Sequence, residues 1–219
     1  MQKLFDMDNR FMNILGKAGD LILLNLLFLV TCIPFFTIGA ALTALYDVTL
    51  RMAKNEEAYI IRSFFSSLKL HFKKSTILWL AVSAAGGLLF LDLRIINAQN
   101  SALWYLIRSV LFSVLLIWWI VYAYIFPLIA KYDLNCRLTL NNALLIAMKH
   151  VPCTVGIVTL NSLLAVALFT EVGILFYVVH IYLIIGFAFV AYINSILLVR
   201  VFDKYEEKRP DYKKENLIL

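Results

Sequence analysis

Five stretches of the chain are apolar at nearly every position, and most charged residues gather between them. A bilayer core of roughly 30 Å needs about 20 such residues per helix. The pattern therefore predicts five helical spans: Leu21–Leu45, Ile77–Ile96, Ala102–Ala130, Val151–Thr170 and Val172–Val199. The second carries Asp92 and Arg94 near its end, where they must snorkel or pair. Two connecting stretches are amphipathic. In Ala58–Lys74, Ile61, Phe65, Leu68 and Phe72 share one helical face, opposite Arg62, Ser66, Lys69 and Lys73. In Asn141–His150, Leu144, Leu145 and Met148 form a similar stripe. Ahead of the first span, Leu4, Phe5, Phe11, Met12, Leu15 and Ala18 suggest a lead-in lying at the membrane interface. The expected architecture is an all-α polytopic membrane protein: one transmembrane domain over residues 1–200, two cytoplasmic surface helices, and a charged cytoplasmic tail over 201–219.

Pro34 interrupts the first span, and two readings follow. Proline removes one helix hydrogen bond and clashes with the preceding turn, so the span kinks, with Thr31 and Thr37 taking up freed carbonyls. A sharper break would make residues 21–46 re-entrant, dipping in and returning, with the N-terminus left inside. The first reading is the favoured expectation. "ALYD" (44–47) closes the first span and "AKYD" (130–133) the third, each followed by an amphipathic stretch and another span. This suggests a parallel repeat of span, surface helix and span over 21–96 and 102–170. Tyr46 and Tyr132 are expected at the headgroup level, with Asp47 and Asp133 marking re-entry into water. Glu171 is expected at the outer boundary, in the turn between spans four and five.

Composition supports the bilayer as solvent. Of 219 residues 63% are hydrophobic and 16% charged, with mean hydropathy +0.85, against about 45–50% and about 25% in a soluble domain. The net charge of +6 and pI near 9.2 would suggest nucleic acid as partner in a soluble protein. Here the basic residues flank the apolar runs, so they mark a cytoplasmic face, and no nucleic-acid partner is expected. Lys and Arg are densest between spans one and two, between spans three and four, and in the tail. That places both connections and the C-terminus inside; Lys3, Arg10, Lys17 and Arg94 fall on the other face, with the N-terminus outside. The first span is too long for a signal-peptide core, and Asp6, Asp8 and Asp20 spoil a basic leader. Cys32, Cys136 and Cys153 form neither a CxxC nor a ligand set with histidine, so no disulfide scaffold or metal site is expected.

The sequence holds no GxSxG, HExxH, P-loop or GxGxxG. Glu56-Glu57 with Arg62 only faintly matches an intramembrane protease pattern and reads as a solvated turn. No catalytic residue and no cofactor is expected, and the chain is read as a non-enzyme. Polar groups inside the spans face the bundle interior by default. Asn25, Ser83, Asn161, Ser162, His180, Asn194 and Ser195 are the candidates. Asn161 could bond Asn194 or His180 as helix glue worth about 0.6–2 kcal/mol, and a translocation pathway would use the same residues. Ser83, Ala84, Gly86 and Gly87 allow close helix approach, within the chain or in a homodimer. Trp118, Trp119, Tyr122, Tyr124 and Phe126 are read chiefly as packing, with sugar stacking the lesser alternative. The basic helix with Arg62, Lys69, Lys73 and Lys74 is the candidate docking surface, for anionic lipid or for a partner subunit.

Three segments occur in order: "PFFTIGAALTALYD", "EEAYIIRSFFSSLKLHFKKS" and "FPLIAKYDLNCRLTLNNALLIAMKH". With them the chain, over about residues 5 to 200, resembles the YesL-like family of bacterial integral membrane proteins, long classed as a domain of unknown function. The resemblance implies the bacterial cytoplasmic membrane. Through the association of such proteins with carbohydrate-uptake operons, it also implies an accessory or regulatory role beside a sugar ABC importer. A small standalone transporter or channel is the alternative. No catalytic residues carry over from the family.

Overall fold

The structure, a computed structural model, describes residues 2–56, 59–96, 102–132, 134–167 and 172–208. Glu57, Asp133, Glu171 and the tail beyond Lys208 lie outside the described residues, as do the side chains of Leu4, Phe5, Phe11 and Met12 in the lead-in. The described residues are helical apart from short turns: α1 Gln2–Thr31, a 3₁₀ turn Phe35–Thr37, α2 Ile38–Ala53, α3 Ile60–Ile96, α4 Ala102–Lys131, α5 Cys136–Lys149, α6 Val151–Ala167, α7 Val172–Ile181, a π-turn Tyr182–Gly186 and α8 Phe187–Lys208. Among the described residues, three helices are long and apolar enough to cross a membrane: Ile60–Ile96, Leu103–Lys131 and Leu175–Tyr205. One helix pair, Cys136–Lys149 with Val151–Leu163, passes the same test of length and composition together but is bent by 110°.

The first expected span is divided. α1 ends at Thr31 and α2 starts at Ile38, so Leu21–Leu45 forms two helices. Lys17 Nζ donates to Asn55 Oδ1 at 3.0 Å. A straight helix between those residues would separate them by about 57 Å at 1.5 Å per residue. The chain therefore reverses at Pro34, and α1 and α2 form a hairpin in place of one kinked helix. The turn's polar groups are met locally. Thr31 Oγ1 donates to the carbonyls of Leu27 and Phe28 at 2.9 and 3.0 Å, and Thr37 Oγ1 to those of Thr31 and Pro34. α2 stops in a Schellman motif: Glu56 N–H bonds Arg51 O, Asn55 N–H bonds Met52 O, and Asn55 takes φ 54°.

α2 lies at the centre, against α3, α4 and α8. Gly39 permits its close approach to α3, because a Cβ there would stand 2.5 Å from the Ser75 carbonyl and strike Trp79. Gly86 does the same for α3 and α4: a Cβ would enter the Trp118 indole, whose Nε1 donates to Val82 O at 2.9 Å. Gly87 meets nothing within 4 Å, so half of the small-residue patch is used within the chain and half faces outward.

Two surface helices were expected, and the first is not separate. Ile60–Ile96 is one helix, so Ala58–Lys74 corresponds largely to the first turns of α3. Its inward face is also one residue away from the expected one. Ile60, Phe64, Ser67, His71 and Ser75 are buried, whereas Ile61, Phe65 and Phe72 are exposed. α5 repeats this: Asn142, Ala143, Ile146 and Ala147 are buried, while Leu144 and Met148 are exposed. The expectation assumed water outside and large apolar groups inside. Both helices bury small or polar side chains beside Ile60, Phe64 and Ile146, and leave several large apolar ones outward. The tail expected from 201 also begins later, since α8 runs to Lys208 with Val201 and Phe202 buried.

Candidate functional site

Two places gather the polar residues singled out in the sequence. The first is the interior where α2, α6 and α8 meet. Asn194 Nδ2 donates to Asn161 Oδ1 at 3.1 Å and to the Tyr46 hydroxyl at 3.2 Å. One turn of α2 further on, the Thr49 and Ser195 hydroxyls bond each other at 2.8 Å. The Asn161–Asn194 pairing read from sequence is present. His180 does not join it: it is exposed on α7, with Nδ1 2.7 Å from the Phe176 carbonyl oxygen of its own helix. Asn194 Oδ1 is buried without a hydrogen-bond partner. Tyr46 and Tyr132 are core residues, not headgroup anchors. Tyr46 is held by Asn194, and Tyr132 packs edge-on to Phe202 with ring centroids 5.6 Å apart.

Asn25 has a different role from the other intramembrane candidates. In the π-turn the helix carries one extra residue, so carbonyl and amide registers no longer match. Asn25 Nδ2 donates to the carbonyls of Tyr182 and Leu183 at 3.1 and 2.8 Å, and Ala188 N–H donates to Asn25 Oδ1 at 3.1 Å. One buried carboxamide thus satisfies both sides of the mismatch. The sequence singles out Asn25 as a polar residue amid leucines but does not reveal the π-turn it serves, because a π-turn leaves no periodic signal.

The aromatic group on α4 is a packed ladder. Tyr122 stacks on Trp118 and Trp119 with centroids 5.4 and 6.1 Å apart, and Phe126 meets Tyr122 edge-on at 5.3 Å. Trp119 Nε1 donates to Ser162 Oγ at 3.2 Å. Such tethered rings serve helix packing well.

The second place is the beginning of α3. Tyr59, Ile61, Arg62, Phe65, Ser66 and Lys69 line an open groove of about 730 Å³. Tyr59 is 84% exposed, and Ile61 and Phe65 are 52% and 40% exposed. Arg62 and Lys69 lie in the groove, and Ile61 and Phe65, expected to point inward, line it too. Lys73, on the same exposed side, lies one turn beyond; Lys74 is half-buried.

The α5–α6 junction closes this end. His150 Nε2 and the Tyr205 hydroxyl are 3.0 Å apart, linking α6 to α8. Burial, then the charges of Lys204 and Lys149, hold the His150 pKa below its usual range. Lys54 Nζ pairs with Asp203 at 2.9 Å, tying α2 to α8. Among the described residues, no group of three or more His, Cys, Asp or Glu side chains could hold a metal ion.

Comparison with known proteins yields two matches. Residues 21–93 match the family described as "Protein of unknown function, DUF624". The chain is 29% identical over 143 residues to "Uncharacterized protein YesL" of Bacillus subtilis (strain 168), covering 65% of this chain and 67% of that protein. No solved structure matches.

Proposed function

From the premise that this chain is a YesL-like protein of the DUF624 family, we propose that it is a non-enzymatic accessory or regulatory protein of the bacterial cytoplasmic membrane. In this reading it crosses the bilayer several times with its basic end in the cytoplasm, and it docks a subunit of a transport complex there. The observation that carries the proposal is the groove at the start of α3, where Tyr59, Ile61 and Phe65 are uncovered beside Arg62 and Lys69. An apolar centre flanked by cations suits an acidic amphipathic helix: buried apolar area supplies affinity, and the cations fix orientation and speed encounter. A carbohydrate ABC importer is the complex that the family resemblance implies. Affinity purification from native membranes after light cross-linking tests this. Importer subunits should be recovered with the parent chain and lost with Arg62→Glu/Lys69→Glu, while membrane insertion is unchanged. Retention after charge reversal would remove the groove from the argument.

A second reading, a small standalone transporter, draws on the Tyr46–Asn194–Asn161 chain and its unpartnered Asn194 Oδ1. It predicts solute flux in liposomes that Asn194→Leu abolishes without loss of folding. Flux unchanged in that variant would leave the asparagines as helix glue.

A further inference from the structure

The α1–α2 hairpin presents an apolar tip that the described chain leaves largely uncovered, apart from the Phe35–Trp79 contact. Ile33, Phe35 and Phe36 are 79%, 70% and 53% exposed. Residues 21–46, which make up most of both arms, contain no Asp, Glu, Lys or Arg. Charges begin abruptly at the base, with Lys17 and Asp20 on one arm and Asp47, Arg51 and Lys54 on the other. We infer that this hairpin enters the bilayer from the basic end of the bundle, holds its Ile33–Phe36 tip among lipid acyl chains, and returns to the face it left.

The depth follows from the neighbours of the tip. The Phe35 ring meets Trp79 at 4.7 Å, more than one helical turn beyond Lys73 and Lys74 along α3. Asn25, two turns before the tip, reaches the π-turn within the last long apolar helix. From the charged base to the tip, Lys17 to Thr31 on one arm and Ala53 to Ile38 on the other, each arm is about 22–24 Å long at 1.5 Å per residue, short of the roughly 30 Å hydrocarbon core. The hairpin goes in without crossing. A non-helical turn at that depth must satisfy its own polar groups. Thr31 and Thr37 do so: the Thr31 hydroxyl proton is shared between the carbonyls of Leu27 and Phe28, and the Thr37 proton between those of Thr31 and Pro34.

The arrangement also changes the charge asymmetry. With Lys17 beside Asn55, Lys3, Arg10 and Lys17 on α1 join the end that holds the other basic clusters. Arg94 and Arg108 are then the basic residues left at the opposite end of the described helices, a stronger cytoplasmic bias than a crossing first span would give.

The inference rests on the reading that the long helices cross the bilayer, and on no partner. The test uses the full chain with Cys32, Cys136 and Cys153 changed to alanine, reconstituted in oriented vesicles. Single cysteines at Lys17, Asn55, Arg94 and Lys204 are probed with an impermeant maleimide. Lys17→Cys, Asn55→Cys and Lys204→Cys should label from one side and Arg94→Cys from the other. Lys17→Cys labelling together with Arg94→Cys would overturn the hairpin. Arg94→Cys labelling together with Lys204→Cys would instead overturn the crossing itself. Spin labels at Ile33 and, as a second position, Phe36 report the tip. Collision with oxygen exceeding that with a water-soluble nickel chelate places it in lipid. High nickel access would place it in water, and low access to both would place it against a second protein surface; either overturns the lipid assignment.

Discussion

The chain twice joins an amphipathic stretch to an apolar one, with opposite results. At the start of α3 the two fuse into one helix, Ile60–Ile96. At α5–α6 they bend by 110°. The amphipathic pattern does not separate the cases, since both stretches bury a mixed face (Phe64 with Ser67 and His71, Ile146 with Asn142 and Ala143) and turn several large apolar residues outward. The junctions do. Around Lys73–Ser75 no residue interferes with helical bonding. At His150 the backbone leaves the helix (φ −121°, ψ 53°), and Pro152 follows two residues later. A proline has no N–H to continue the ladder from α5 and is tolerated in the first turn of a helix, so one helix ends and the next begins readily at such a site. The bend is then stapled. Thr154 Oγ1 lies 2.8 Å from Ala147 O and 3.1 Å from His150 O, and the Tyr124 hydroxyl stands 2.8 Å from it on the other side. Because the threonine proton goes to a carbonyl, Tyr124 donates to Thr154.

Placing a proline in the unbroken junction should have the largest effect. Lys74→Pro removes a bond to Leu70 O and introduces a clash, costing about 3 kcal/mol or more. In detergent the variant should unfold well below the parent temperature or fail to purify as a single species. Parent-like melting would mean that α3 tolerates a break there and that the two junctions are closer than they look. The staple comes next. Thr154→Val leaves the Ala147 carbonyl and the Tyr124 hydroxyl short of a partner in the interior, for about 1–3 kcal/mol. A double-mutant cycle with Tyr124→Phe should give a coupling of about 0.5–1.5 kcal/mol, since the two hydroxyls share one bond. Strict additivity would show that the bend stands without them.

The smallest effect is on pH. His150 has a lowered pKa in the folded chain, so folding favours its neutral form. Its contribution is fully present above the unfolded value of about 6.5. It is lost as the pH falls below that and through the folded pKa, where the ring must charge between Lys149 and Lys204. The melting temperature should therefore fall modestly below pH 6.5 in the parent, and His150→Gln should flatten that part of the profile. An equal slope in both would assign the effect to another group.

Hydropathy made the helices legible, because in lipid an apolar run of sufficient length has few alternatives. Asn161 with Asn194 was legible for a related reason: amides in that medium must find each other. The direction of the faces was not legible. Amphipathic reading presumes water outside, yet Ile61, Phe65, Leu144 and Met148 all point outward. Pro34 announced a break and left its angle open, since a kink and a reversal share that signature. The contact that decides between them, Lys17 to Asn55, joins residues 38 apart and flanks the apolar segment instead of lying within it.

The π-turn in the last helix has a consequence for how that helix can change. One added residue rotates everything before it by about 100° relative to everything after it. A helical wheel drawn straight through Tyr182–Gly186 therefore assigns one half of the helix to the wrong azimuth. The extra residue and the amide of Asn25 satisfy each other. Deleting the residue alone would leave Asn25 facing a regular ladder with no bonds to give it, and losing the amide alone would strand two carbonyls and an N–H. A chain lacking both could keep the same bundle, with the outer half of the helix turned to show its neighbours another face.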